Sequence, residues 1–258
     1  MPLIDVNGVR LNVQVTGAGP AVLMLAGTGA RGRTWHLYQV PALVKAGYRV
    51  ITYDTRGLPP SSAPELVTLA DLVADATALA ERYGPVTLIG SSMGARVAAE
   101  VCLRRPGLVD RAVLMATFGR PGAFLTALTA AGPAVSRHAV VRAACNLSPR
   151  TLADDRLAQD WLDVFSVPPA GADDESRTEP ASDVDRLDAY GAITVPCLVI
   201  GFADDLIAPA RGNREVAKAI PGARYAEIAD AGHYGYLEQP EPLNAELLQF
   251  LHTPKESA

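Results

Sequence analysis

The chain has 258 residues, of which 49% are hydrophobic and 20% are charged, and its formal net charge is -5 at pH 7. This length and apolar content suffice for one substantial α/β domain. The acidic balance, without a run of Lys or Arg, argues against a nucleic-acid or anionic-membrane partner and predicts a small-molecule partner.

The amino terminus and the cysteines indicate the cellular compartment. Residues 1–13 lack the basic start and the apolar stretch of a signal peptide, and no apolar run approaches the ~20 residues of a membrane-spanning helix. The cysteines, Cys102, Cys145 and Cys197, do not have the spacing of disulfide or metal-ligand pairs. We therefore expect a cytoplasmic protein whose cysteines are reduced, buried and structural.

Hydrophobic patterning predicts strands that alternate with helices along most of the chain. Residues 2–16 alternate apolar and polar positions around Asn7-Gly8, a dipeptide preferred in tight turns, and predict an antiparallel β-hairpin. The further predicted strands are residues 21–25, 48–53, 85–89, 111–116, 195–201 and 224–229. The predicted helices between and after them are residues 35–46, bent at Pro41, 68–83, 95–105, 211–220 and 241–252. Strands separated by helices in this way indicate a parallel sheet.

The strand and helix alternation lapses between residues 118 and 190. This stretch contains predicted helices over residues 123–131, 134–145 and 151–164, and a polar run over residues 167–183 that we expect to be mobile. Helices inserted between two sheet strands are typical of a lid. We therefore predict a core made of residues 1–117 and 191–258, and a helical cap made of residues 118–190.

A Gly-x-Ser-x-Gly pentapeptide, Gly90-Ser91-Ser92-Met93-Gly94, joins the strand over residues 85–89 to the next helix. A nucleophile at such a turn has a strained backbone, so the residues two positions away on either side must be small. The following helix also directs free N–H groups toward a reacting carbonyl oxygen. The pentapeptide indicates Ser92 as a nucleophile, with a turn of small residues as the structural alternative.

The loop after the first parallel strand carries Gly27, Gly29 and Gly32, which spell G-x-G-x-x-G. Asp54 ends the next strand about where a ribose-binding acid would lie, so these residues alone would indicate a dinucleotide site. The preceding hairpin is foreign to that fold. The alternative, which signals later in the chain favour, is an oxyanion site formed by the backbone N–H of Thr28.

The chain resembles the α/β-hydrolase superfamily over nearly all of its length outside the predicted cap. The resemblance rests on the order of nucleophile, acid and histidine, each just after a predicted strand: Ser92, the pair Asp204-Asp205, and His233. It implies an α/β fold with a mostly parallel, eight-stranded sheet, an N-terminal hairpin and a helical lid insertion.

The family pattern also distinguishes the two candidate acids. Members usually have a Pro at the start of the acid-bearing strand and another Pro four residues after the acid. With Pro196 at the first position and Pro209 at the second, the resemblance assigns the acid to Asp205 and leaves Asp204 as its neighbour.

The carboxyl-terminal part matches the family's G-H-x-x-x-x-E-x-P ending through His233, Glu238 and Pro240. The chain departs from the family at Ala26, where members commonly have a His before the glycine of the oxyanion loop. We therefore expect this loop to be held by other contacts.

The resemblance implies nucleophilic catalysis by a serine. In this hypothesis His233 takes the proton of Ser92, Asp205 orients the imidazole, and the N–H groups of Thr28 and Met93 hold the oxyanion. Neither a metal nor an organic cofactor is needed.

The expected reaction is hydrolysis of a carboxylic ester, thioester or lactone of a small apolar substrate. The residues predicted to line the pocket are Gly27, Trp35, Phe118, Trp161 and Phe165. The alternatives are an acyltransferase, a cyclase or a C–C bond hydrolase on the same scaffold, and a non-catalytic ligand-binding protein. A homodimer is compatible with this sequence.

Overall fold

The structure is a computed structural model that describes residues 3–61, 67–132, 135, 138–167 and 184–253. Within these residues eight strands form one sheet. The strands are β1 (Leu3–Val6), β2 (Val9–Thr16), β3 (Ala21–Leu25), β4 (Arg49–Tyr53), β5 (Val86–Ser91), β6 (Val109–Met115), β7 (Cys197–Phe202) and β8 (Arg224–Ile228). Their order across the sheet is β1-β2-β4-β3-β5-β6-β7-β8.

Helices lie between most of the strands and at the carboxyl-terminal side. The α-helices of the described residues are α1 (Gln39–Lys45), α2 (Leu69–Tyr83), α3 (Met93–Arg104), α4 (Ala123–Ala130), α5 (Ala139–Asn146), α6 (Pro149–Ala153), α7 (Asp155–Ser166), α8 (Leu187–Tyr190), α9 (Ala210–Ala219), α10 (Gly235–Glu238) and α11 (Pro240–His252). Two 3-10 helices cover Gly32–Leu37 and Pro106–Leu108.

The sheet is antiparallel at one end and parallel elsewhere. β1 and β2 form the predicted hairpin, whose turn residues Asn7 and Gly8 have φ angles of 46° and 75°. β2 pairs antiparallel with β4, and all the other neighbours are parallel. The predicted α/β class, with a mostly parallel, eight-stranded sheet and an N-terminal hairpin, is confirmed. The parallel strands end at one edge, where loops are well placed to carry a functional site.

Apolar layers cover both faces of the sheet. Successive residues of β3 point to opposite faces, so Leu23 and Leu25 belong to one buried cluster and Val22 and Met24 to the other. Helices α2, α3 and α9 complete the first cluster, and α1 and α11 complete the second. Each fully buried side chain of this size contributes about 1.5–3 kcal/mol. The sheet is therefore a rigid support for the loops at its edge.

The helix predicted over residues 35–46 is wrong in its first half. A 3-10 helix ends at Leu37, Tyr38 breaks the backbone with φ -139° and ψ -47°, and α1 begins at Gln39. Pro41 does not bend α1, because it lies in the first turn, where a missing N–H breaks no intrahelical bond. The tighter turn carries Trp35 into the core, where it is fully buried.

The helices of the inserted stretch also differ from the prediction. The helix predicted over residues 151–164 is divided into α6 and α7 at Asp154. The Asp154 carboxylate accepts hydrogen bonds from the N–H groups of Arg156 and Leu157, at 3.0 Å each, and so caps α7. Of the helix predicted over residues 134–145, the structure shows α5 from Ala139, with an extended backbone at His138 before it, and residues 134, 136 and 137 lie outside the described residues. Of the polar run over residues 167–183, all but residue 167 lies outside the described residues.

The cap helices α4 to α8 lie between β6 and β7 in the chain. They have a small apolar cluster of their own, in which Ala143, Leu147 and Phe165 are buried. A backbone hydrogen bond joins the beginning of this stretch to its end. The N–H of Arg186 donates to the carbonyl oxygen of Gly119 at 2.9 Å. The division into core and cap stays a prediction.

Among the described residues, no helix is both long enough and apolar enough to cross a membrane.

Candidate active site

Ser92 lies at the sharp turn between β5 and α3. Its φ of 55° and ψ of -119° are strained for a residue with a side chain, and its N–H donates to the carbonyl oxygen of Met115 at 2.9 Å. A Cβ on Gly90 would overlap the backbone of Gly94, and a Cβ on Gly94 would overlap the carbonyl oxygen of Leu25. The two glycines of the pentapeptide are therefore required by sterics, as the sequence predicts.

A hydrogen-bonded chain connects Ser92 with the carboxylate predicted to be the acid. His233 Nε2 lies 3.1 Å from Ser92 Oγ, and His233 Nδ1 lies 2.8 Å from Asp205 Oδ2. With Nδ1 protonated, the ring donates to Asp205 and Nε2 accepts the hydroxyl proton of Ser92. The three residues follow β5, β7 and β8, so the carboxyl edge of the parallel sheet brings them together.

Backbone N–H groups fix the Asp205 carboxylate. Its Oδ1 accepts from the N–H groups of Ile207 and Ala208 at 2.8 Å each, which leaves Oδ2 for His233. The Asp205 side chain is fully buried, and 11% of the His233 side chain is exposed. The backbone N–H of Asp204 donates to the carbonyl oxygen of Ala231 at 2.9 Å. The geometry therefore places Asp205, and not Asp204, against the imidazole.

The predicted oxyanion donors lie beside the nucleophile. Neither the N–H of Thr28 nor that of Met93 has an acceptor among the residues that the structure describes. A Cβ on Gly27 would lie 3.2 Å from Ser92 Cβ, which shows that the loop before Thr28 contacts the serine. Two N–H groups without acceptors next to a nucleophile are typical of an oxyanion hole.

Asp54 holds the loop after β3 in place. Its Oδ1 accepts from the N–H of Gly32 at 2.9 Å, and its Oδ2 accepts from the Asn12 side chain at 2.8 Å and lies 3.6 Å from Arg31 Nη1. Arg31 also donates to the carbonyl oxygen of Pro59. Because Ala26 stands where family members commonly have a His, we expected other contacts to hold this loop, and these hydrogen bonds are such contacts. Asp54 is buried and fully engaged, so the dinucleotide interpretation of these glycines is wrong.

The predicted pocket residues Trp35 and Phe118 lie in different surroundings. Trp35 is fully buried and packs on Tyr236 with ring centroids 4.6 Å apart, so it belongs to the core and exposes no surface to a pocket. The prediction for Trp35 is therefore not supported. Phe118 lies against α9, where a Cβ on Gly212 would be 3.2 Å from its Cβ.

Trp161 and Phe165 of α7 lie together next to the histidine loop. Their rings are 5.4 Å apart, and both contact Tyr234, at 5.6 and 5.9 Å between centroids. The ring of Tyr234 in turn meets His233 at 6.2 Å. Tyr234 was not among the residues predicted from the sequence, where its signal is its position directly after the histidine. These aromatic rings place an apolar surface of the cap beside the imidazole.

The described residues contain no group of three or more His, Cys, Asp or Glu side chains arranged to hold a metal ion. Burial raises the pKa of Cys197 to about 12 and raises the pKa of Cys102, which keeps these thiols protonated at neutral pH.

Comparison with known proteins agrees with this geometry. The profile of the family described as "Alpha/beta hydrolase family" matches residues 22–246. The chain belongs to this family. The match spans the strands of the parallel sheet and all three residues of the hydrogen-bonded chain, and it identifies this α/β hydrolase as an enzyme.

Individual relatives of this α/β hydrolase match over almost the whole chain. "Putative non-heme bromoperoxidase BpoC" of Mycobacterium tuberculosis (strain ATCC 25618 / H37Rv) is 40% identical, over 96% of this chain and 99% of the relative. Its crystal structure aligns with a TM-score of 0.86 over 99% of this chain and 98% of the other. The structure of the enol-lactonase from Burkholderia xenovorans LB400 aligns with a TM-score of 0.80 at 28% identity, over 97% and 99% of the two chains.

Proposed function

We propose that the chain is a serine hydrolase that cleaves a carboxylic ester, thioester or lactone of a small apolar substrate. The observation that carries this proposal is the hydrogen-bonded chain from Ser92 Oγ to His233, at 3.1 Å, and from His233 to Asp205, at 2.8 Å. A serine hydroxyl is a weak nucleophile unless a base takes its proton, and an imidazole held by a carboxylate is suited to that task.

The proposed reaction has two halves. In the first, His233 takes the proton of Ser92 Oγ while Oγ attacks the carbonyl carbon, and the N–H groups of Thr28 and Met93 stabilise the oxyanion. Collapse of this intermediate breaks the bond to the leaving group, which receives the proton from His233. In the second half, water attacks the carbonyl carbon of the acyl-Ser92 intermediate while His233 takes a proton from that water. Collapse of this second intermediate breaks the bond to Ser92 Oγ, which receives the proton from His233, and the free acid is released.

The substrate class is supported by the cap and by one relative. The rings of Trp161 and Tyr234, which are partly exposed and pack on the buried Phe165, are suited to an apolar acyl group. The relative from Burkholderia xenovorans is named an enol-lactonase, and a lactone is a cyclic ester.

Labelling with a fluorophosphonate, which reacts with activated serines, tests the nucleophile. We expect one adduct on the wild type and none on Ser92→Ala, which should also lose roughly 10^4- to 10^6-fold in kcat on any ester that the wild type cleaves. Ser91→Ala is the matched control, because Ser91 is buried in β5 and lies directly before Ser92. Intact-mass measurement detects the adduct, and assays on panels of esters, thioesters and lactones measure the change in kcat.

An adduct that persists on Ser92→Ala, or a folded wild type without an adduct, would contradict the proposal. Product analysis separates hydrolysis from acyl transfer, since a transferase gives an acylated acceptor in place of the free acid.

A further inference from the structure

One carboxylate connects the histidine loop with the cap. Glu238 Oε2 accepts from the N–H of Gly232 at 2.7 Å. Glu238 Oε1 accepts from both the N–H and the hydroxyl of Ser148, at 2.8 Å each. Gly232 directly precedes His233, and Ser148 directly precedes α6. Glu238 therefore uses one oxygen on each side of the boundary between core and cap.

The cap backbone also touches the histidine loop directly. The N–H of Tyr234 donates to the carbonyl oxygen of Asn146 at 3.2 Å. A Cβ on Gly232 would lie only 2.5 Å from that same oxygen and 2.7 Å from the carbonyl carbon of Leu147, so only glycine fits there. The residues before and after His233 are thus both held at the contact between the loop and the cap.

The position of the imidazole depends on this backbone. Among the described residues, His233 forms side-chain hydrogen bonds with Asp205 and Ser92. Its place between them is set by the path of residues 232–234. A displacement of about 1 Å in a reacting group is able to reduce a rate by roughly 100-fold.

We propose that Glu238 is a positioning residue that holds His233 through the N–H of Gly232, and that this hold depends on docking of the cap at Ser148. When the cap leaves, Oε1 loses both donors of Ser148 and the carboxylate is free to rotate away from Gly232. Proton transfer from Ser92 is then favoured only with the cap docked. This inference rests on the proposed function, in which His233 is the general base.

The test compares Glu238→Ala and Glu238→Gln with the wild type. Without the carboxylate, Gly232 and Ser148 lose their acceptor, so we expect kcat and the rate of fluorophosphonate modification of Ser92 to fall roughly 10- to 100-fold in Glu238→Ala. We expect KM to change less than about 3-fold, because substrate contacts remain. Glu238→Gln should be intermediate, since its carbonyl oxygen still accepts on one side.

Two further variants make the comparison specific. Ser148→Ala removes the hydroxyl donor and keeps the N–H donor, so a smaller loss in kcat is expected, and it tests the cap side without changing Glu238. Glu241→Gln is the matched control, because Glu241 is exposed in the first turn of α11. It should behave as the wild type.

A direct measurement of the imidazole completes the test. The proton NMR signal of His233 Nδ1–H, hydrogen-bonded to Asp205, should broaden or disappear in Glu238→Ala and persist in Glu241→Gln. Folded Glu238 variants with a lower melting temperature but wild-type kcat, labelling rate and NMR signal would overturn the proposal. A wild type that is not modified at Ser92 would overturn the proposed function instead, and the NMR signal would still decide the role of Glu238.

Discussion

Gly27, in the loop after β3, lies against Ser92. A Cβ at this position would lie 3.2 Å from Ser92 Cβ and 3.8 Å from Ser92 Oγ. The first distance is tighter than an ordinary contact. In the proposed function a substrate carbonyl approaches Ser92 Oγ, so a methyl group at position 27 would compete with the substrate.

Gly27→Ala is expected to lower kcat/KM roughly 10-fold with little change in the melting temperature, because the backbone at Gly27 does not require glycine for its φ angle. Gly107→Ala is the control, since a Cβ there meets no atom within 4 Å. Steady-state kinetics and thermal unfolding measure the two effects. A Gly27→Ala enzyme with full kcat/KM would show that the loop moves aside.

At the residue scale, short motifs predicted the members of the hydrogen-bonded chain, and they did not predict every residue that holds them. Gly-x-Ser-x-Gly indicated Ser92, the positions of Pro196 and Pro209 indicated Asp205, and the family ending indicated His233 together with Glu238. The structure brings the side chains of Ser92, Asp205 and His233 together. Ser148 has no such signal. It lies 90 positions from Glu238 along the chain, and only the packing of the cap on the core brings them together.

A capping box begins α2. The Thr68 hydroxyl accepts from the N–H of Asp71 at 3.1 Å, and the Asp71 carboxylate accepts from the N–H of Thr68 at 3.0 Å and from its hydroxyl at 2.7 Å. These bonds from Thr68 hold the pKa of Asp71 below its usual value. Their contribution is present at neutral pH and is lost as the pH falls through the folded-state pKa.

Thr68→Ala should lower the free energy of unfolding by about 1 kcal/mol at pH 7, and by less at pH 3, where Asp71 is increasingly protonated. Thr77→Ala in the same helix is the control, because the Thr77 hydroxyl donates to Val73 within the helix and caps nothing. Urea unfolding at both pH values measures the difference. Equal losses for both variants would contradict the role of the cap.

At the element scale, the bounds of a strand were predicted correctly where all of its residues are buried. The five residues of β3 are all buried and were predicted with the observed bounds. The bounds of helices were predicted wrongly where local hydrogen bonds end or redirect a helix although the apolar spacing continues. Trp35 has helical spacing to its apolar neighbours but lies in a 3-10 turn, and Asp154 lies within an amphipathic pattern but starts a new helix. Periodicity does not report such changes of direction.

At the scale of the whole molecule, the helices of the predicted cap and the sheet differ in the size of their apolar clusters. Among the described residues, the cluster at these helices has three buried members, whereas each face of the sheet is covered by a far larger cluster. Segments with few buried contacts open more often than the rest of a protein. The cap is therefore expected to open locally while the sheet remains folded.

Cysteine labelling tests this difference. Cys145 lies in α5 of the cap, and Cys102 and Cys197 lie in the core, and burial raises the pKa of all three thiols. We expect iodoacetamide at pH 8 to modify Cys145 first, and Cys102 and Cys197 only when urea unfolds the sheet. Peptide mass spectrometry measures each rate. Equal rates for Cys145 and Cys197 would show that the cap and the core open together.

The contact between Arg186 and Gly119 has an evolutionary consequence. Because one hydrogen bond joins the two ends of the inserted segment, these ends lie side by side whatever the length of the chain between them. Such a junction permits one inserted segment to be exchanged for another. It marks the place where a chimaera should be joined, and the new segment must keep a donor opposite Glu238 where Ser148 now lies.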